Sequence, residues 1–161
     1  MPFVRFSSLK AGAASSYLGA ALFLLAFAFE CAAGSWIVAS VASHHFDDAR
    51  PRDYEQRNWG LGFEHELTRT VRATAGFYRN SIRNESLYVG AVWAPISFGV
   101  ARLGLAAELV SGYETAKSRE PVKALFPVLA FEWRTFGLNI PFVPPTDSNV
   151  GAVALQVKVR W

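Results

Sequence analysis

From residue 34 to the end, the chain places apolar residues at every second position, in runs separated by short polar, glycine or proline stretches. Successive side chains of a strand point to opposite faces, so a period of two marks strands whose two faces meet different surroundings. AVALQVKVRW, at the end, is the plainest case. Val153, Leu155, Val157, Val159 and Trp161 share one face, and Ala154, Gln156, Lys158 and Arg160 share the other. No stretch after residue 34 sustains a helical apolar period, so the chain reads as all-β.

SWIVASVASHH, GLGFEHEL, TVRATAGFYR, SLYVGAVW, ARLGLAAEL, PVLAFEW, FGLNIPF and AVALQVKVRW make eight strands, the first alternating least clearly. Short turns are expected near 68–70, 94–99 and 134–135, and longer connections at 46–58, 79–85, 111–120 and 143–150. This alternation of lengths is that of an up-and-down antiparallel barrel with both termini at one end. A β-sandwich or lipocalin-like barrel would turn its apolar face inward. An outer-membrane barrel turns it outward and keeps its short turns on the periplasmic side.

Residue size separates the two. The face that carries charge is interleaved with Gly60, Gly62, Gly76, Gly90, Gly104 and Gly137, while the other carries Leu, Phe and Trp throughout. Glycine inside a strand weakens it unless something approaches closely, as in a narrow lumen. Lipid admits only helices and closed barrels. The expected fold is therefore an eight-stranded antiparallel up-and-down transmembrane β-barrel. Within it Glu64, Glu66, Arg72, Arg102, Glu108, Glu132, Lys158 and Arg160 should meet and pair, because a lone enclosed charge is costly.

The first 33 residues differ. Arg5 and Lys10 precede YLGAALFLLAFAF, then Glu30 and the small residues around Ala33. This is the order of a cleavable signal peptide, and the apolar run is too short for a membrane helix. The expected division is a signal peptide at 1–33 and a barrel at 34–161, located in a bacterial outer membrane. Cys31 would fit a lipoprotein, but Glu30 stands where a small residue is needed. Removing the segment leaves 14 basic and 12 acidic residues and no cysteine. That excludes a disulfide scaffold or zinc module, and without a basic block nucleic-acid binding has no basis.

GLGFEH lacks the third glycine and following helix of a dinucleotide loop, and His65-Glu66 lacks the second histidine of a zinc protease. His44 and His45 with Asp47 or Asp48 could hold a metal, but loop polarity explains them more simply, so neither metal nor cofactor is expected. Asn84-Glu85-Ser86 matches a glycosylation acceptor and carries no meaning in a bacterial protein. His45 and Ser81 are different. Both fall at the long-loop end, at the exits of the first and third strands, where an imidazole could act as base toward a hydroxyl.

YEQRNWGLGFE at 54–64, FYRNS at 77–81, and the ordered pieces LGLAAELVSGY, PVLA and IPFVPP resemble the lipid A palmitoyltransferases over about 43–161. The first is similar to that family's Tyr-Asn-Glu-x-x-Trp-Gly-x-Gly-Phe stretch, and the second stands where the family has Lys-Asp-Ser. The resemblance implies an eight-stranded outer-membrane enzyme moving a palmitoyl chain from a phospholipid donor to a hydroxyl of lipid A. It also implies a histidine, an aspartate and a serine at the extracellular rim and an apolar pocket inside. By position Ser81 matches the serine, Asn80 replaces the aspartate, and His45, with His44 as the alternative, matches the histidine. Asparagine does not stabilise an imidazolium as a carboxylate does, so Asp47, Asp48, Asp53 or Glu85 would have to substitute. The family's helix before the barrel is missing, while Pro127, Pro141, Pro144 and Pro145 partly keep its wall-opening prolines. A monomer is expected, its C-terminal strand recognised by the outer-membrane insertion machinery. The alternatives are a non-catalytic small barrel with a structural or loop-binding role, and, last, a lipid A deacylase, whose His-x-Ser-Asn stretch is absent: Asp147-Ser148-Asn149 lacks the histidine.

Overall fold

A computed structural model describes residues 34–46, 54–113, 120–146 and 150–161. The expected signal peptide lies outside the described residues. The strands are β1 (Ser35–His45), β2 (Gly60–Glu66), β3 (Val71–Arg79), β4 (Glu85–Phe98), β5 (Ala101–Val110), β6 (Val122–Glu132), β7 (Phe136–Val143) and β8 (Ala152–Arg160). They close in sequence order, every neighbour antiparallel, with β8 returning to β1. Short turns follow β2, β4 and β6, and the longer connections lie at the opposite end.

Two boundaries differ from the sequence reading by more than one residue. The turn expected at 94–99 shrinks to Gly99 and Val100, because β4 continues to Phe98 past a register shift between Trp93 and Ile96. Pro95, which has no amide hydrogen to give a ladder, sits in that shift. The sixth strand begins at Val122, ahead of the expected Pro127.

The faces are inverted relative to a soluble barrel. Trp36 and Lys158 are 0% and 1% exposed, and Glu64 and Arg72 are buried beside them. Outside, Leu61, Val89, Leu105, Leu125 and Val159 are exposed. Aromatic rings mark both rims: Trp59 packs edge-on to Phe77 at the loop end, and Trp133 stacks on Phe136, centroids 4.6 Å apart, at the turn end. An apolar band between aromatic girdles, around a charged interior, is the surface of a barrel that spans a bilayer. The soluble sandwich is excluded.

The weak alternation of β1 has a local cause. Its pairing with β8 shifts between Ser40 and Ala42, so Val41 is an extra residue in the ladder. The inward set is Trp36, Val38 and Ser40 before the bulge and Ser43 and His45 after it, and a two-residue period cannot be read across the change.

The lower lumen is filled by paired charges. Arg72 holds Glu132 through both terminal nitrogens and lies 3.1 Å from Glu66 and 3.8 Å from Glu64. Lys158 Nζ lies 2.9 Å from Glu64 and 2.7 Å from Glu132, and Arg102 reaches Glu132 at 3.0 Å. Two expected members stand apart. Arg160 lies over the Trp36 ring at 4.3 Å, and Glu108, which lines the same cavity as Glu64, makes no ion pair with the cluster.

Candidate functional site

Above the charged plug the lumen opens into a cavity of about 620 Å³ that reaches the long-loop rim. Its wall is two-sided. β1 to β3 contribute polar groups such as Ser43, Glu64 and Thr74, and β5 to β8 contribute mainly apolar ones, including Ala106, Phe126, Val128 and Ala152. Close packing makes room for it: a methyl group at Gly62 or Gly76 would meet the Tyr88 hydroxyl, which swings across the β2–β3 pair.

His45 and Ser81 both line this cavity. His45 ends β1 in register with Ala152, and its ring stacks on Tyr54 with centroids 4.5 Å apart. Its Nδ1 is buried without a hydrogen-bond partner among the described residues. His44, one position earlier and opposite Val153, is exposed and meets Phe46 edge-on, so the bulge at Val41 decides which histidine faces inward.

β1 outruns its partner here. Pairing with β2 stops at Ser40 and Gly60, and beyond it loop one takes over: the Ser43 amide donates to the Gln56 carbonyl (2.9 Å) and the Ser43 hydroxyl to Asn58 Oδ1 (2.5 Å). The Asn58 side chain in turn donates to the Arg79 carbonyl at 2.9 Å, and the Glu55 amide to the Ser81 carbonyl at 2.9 Å. These bonds tie loop one, which carries Tyr54, to the loop that carries Ser81. Among the described residues no hydrogen bond joins the Ser81 hydroxyl to His45.

Asn80 is not part of this cavity. Its side chain is fully buried inside the 80–84 turn, where Oδ1 accepts from the amides of Ile82 (3.0 Å) and Asn84 (2.9 Å). Nδ2 donates to Ser86 Oγ and to the Gly112 carbonyl, each at 3.0 Å. Each polar atom of the amide is thus engaged in holding the turn, including the sharp left-handed residue Arg83 (φ 67°). Of the proposed carboxylate substitutes, Asp47, Asp48 and Asp53 lie outside the described residues and Glu85 is exposed. Asp147-Ser148-Asn149 also lies outside them.

The wall has a break that sequence spacing alone did not locate. β6 pairs with β7 only from Val128–Pro141 down to Glu132–Gly137, so residues 122–127 have no β7 partner. Pro127 and Pro141 border the break, where residues without an amide hydrogen lose nothing by an open ladder. The cavity reaches Leu125, Phe126 and Val143 beside it. The prolines were the available signal. Tyr78, Tyr88 and Tyr113, which line the cavity's opposite side, gave none, because a tyrosine on a small-residue face is indistinguishable in sequence from one at a girdle.

No family model matches the chain, and no curated protein does. Solved structures similar to it include two small barrels. The N-terminal β-barrel domain of Pseudomonas aeruginosa OprF is 14% identical, covering 78% of this chain and 96% of that one, with a TM-score of 0.45. The Yersinia pestis outer membrane protein Ail is 16% identical, covering 80% and 99%, with a TM-score of 0.42. On its own geometry the chain is an eight-stranded barrel of bacterial outer-membrane type.

Proposed function

We propose that this outer-membrane barrel takes an acyl chain of an outer-leaflet phospholipid through the break between β6 and β7 and transfers it to a hydroxyl of lipid A at the loop rim. The observation that supports the reading is the single cavity that touches His45 and Ser81 above and the unpaired edge of β6 at its side. In the reaction His45 removes the proton from the lipid A hydroxyl as that oxygen attacks the ester carbonyl. The old ester C–O bond breaks, and His45 returns the proton to the departing lysophospholipid oxygen. Ser81 orients the ester carbonyl or the acceptor.

A second reading is favoured by the full engagement of Asn80 in its turn: a barrel that binds an apolar chain without transferring it. Mass spectrometry of lipid A separates the two. Transfer adds the mass of one long acyl chain in cells expressing the protein, and His45→Ala and Ser81→Ala abolish the gain while His44→Ala does not. An unchanged lipid A spectrum from cells in which the folded barrel is present at the surface rejects transfer and leaves binding.

A further inference from the structure

Three tyrosines and one carboxylate converge on the β3–β5 side of the cavity. The Tyr78 and Tyr88 rings lie 6.0 Å apart and inclined by 55°, and the Tyr78 hydroxyl is 3.3 Å from that of Tyr113. Glu108 lines the same space, its side chain running against Gly90, where an added methyl would lie 2.8 Å from Cγ.

Among the described residues Glu108 differs from the other inward-facing carboxylates. Glu64 has Lys158, Glu66 has Arg72, and Glu132 has Arg72, Arg102 and Lys158. Glu108 makes neither an ion pair nor a hydrogen bond among the described residues. Lys123 borders the same cavity, but it is in register with Leu109 on the outward face. An enclosed carboxylate without a counter-charge is costly, and a cation from outside relieves that cost.

The surroundings select the kind of cation. Aromatic faces attract cations, and cages of them suit organic ammonium groups. A hard metal ion needs six or more oxygen ligands, which one carboxylate among tyrosines does not supply. Across the cavity Phe126 and Val128 form an apolar track that leads to the unpaired edge of β6.

We propose that the cavity binds an organic ammonium carried on an apolar chain, with the ammonium at Glu108 among Tyr78, Tyr88 and Tyr113 and the chain along Phe126 and Val128. The site stands independently of acyl transfer. An ammonium of this kind comes either from a lipid headgroup or from a free amphiphilic amine.

The test uses the full barrel folded in dodecyl maltoside, titrated calorimetrically with dodecyltrimethylammonium, dodecylphosphocholine and tetramethylammonium. Dodecyltrimethylammonium should bind saturably, about tenfold or more weakly in Glu108→Gln, as expected on losing a charge-assisted contact. Tyr113→Ala, beyond the end of β5, should weaken it several-fold while leaving the ladder intact. Tetramethylammonium should bind more weakly than dodecyltrimethylammonium. Dodecylphosphocholine binding that also depends on Glu108 identifies a lipid headgroup as the source, and exclusive binding of dodecyltrimethylammonium identifies a free amine. Absence of saturable binding overturns the proposal. So does affinity unchanged in both variants, each shown folded by its gel mobility before and after boiling, and so does tetramethylammonium binding as tightly as dodecyltrimethylammonium. If Glu108→Gln does not fold, Tyr113→Ala decides alone.

Discussion

At the scale of single residues, the position that sequence comparison makes most doubtful has a use of its own. An asparagine at 80 donates and accepts, and both capacities are needed: the acceptor holds the Ile82 and Asn84 amides, and the donor faces Ser86 Oγ and the Gly112 carbonyl. Asn80→Asp keeps the acceptor and sets a second oxygen against a carbonyl. Leaving buried polar groups without partners costs about 1–3 kcal/mol, so this variant should unfold at lower urea in lipid vesicles and should not raise lipid A acylation. A gain of acylation without loss of stability would mean that residue 80 acts at the cavity. His45 was legible as an exit residue of the first strand, but its inward direction was not. Strict alternation from Trp36 leads to His44, and only the extra Val41 in the ladder reverses the choice.

At the scale of elements, alternation was enough to read all eight strands because one face of each meets a different medium from the other, a contrast that composition records directly. What it could not read were features made between strands. Where β6–β7 pairing ends, at Val128 and Pro141, depends on how far two consecutive strands run together before they part, and whether Glu108 meets a cation of the plug depends on contacts across the barrel rather than along a strand. The break gives an element-level prediction. Continuing the register upward sets Phe126 opposite Val143, so cysteines at both positions should close the wall when oxidised. In this otherwise cysteine-free barrel, the proposed acyl transfer predicts that lipid A acylation falls to background under oxidation and returns with a reductant. Acylation that ignores the redox state, with the bond shown to be formed, would mean that the chain does not pass between these strands.

Taken as a whole, the molecule balances two opposite solvents across strands one residue thick. Its outside gains from lipid, and its inside holds charge only because each member of the lower cluster has a partner. The two halves predict opposite responses to the same kind of change. Leu105→Arg puts a cation on the outward face, and near the bilayer midplane that costs roughly 2–4 kcal/mol. Removing a cation inside is no gentler. Lys158, 1% exposed, lies between Glu64 and Glu132, and Lys158→Ala leaves those carboxylates short of a counter-charge, a loss of about 3–5 kcal/mol for a broken enclosed pair. The loss should be partly recovered when the same variant also carries Glu64→Gln, since Glu132 keeps Arg72 and Arg102 while the charge at 64, left with only the longer Arg72 contact at 3.8 Å, is gone. Urea unfolding of the single and double variants in lipid vesicles measures this coupling. If the double variant is as unstable as the sum of the single ones, the plug contributes by filling volume rather than by pairing charge.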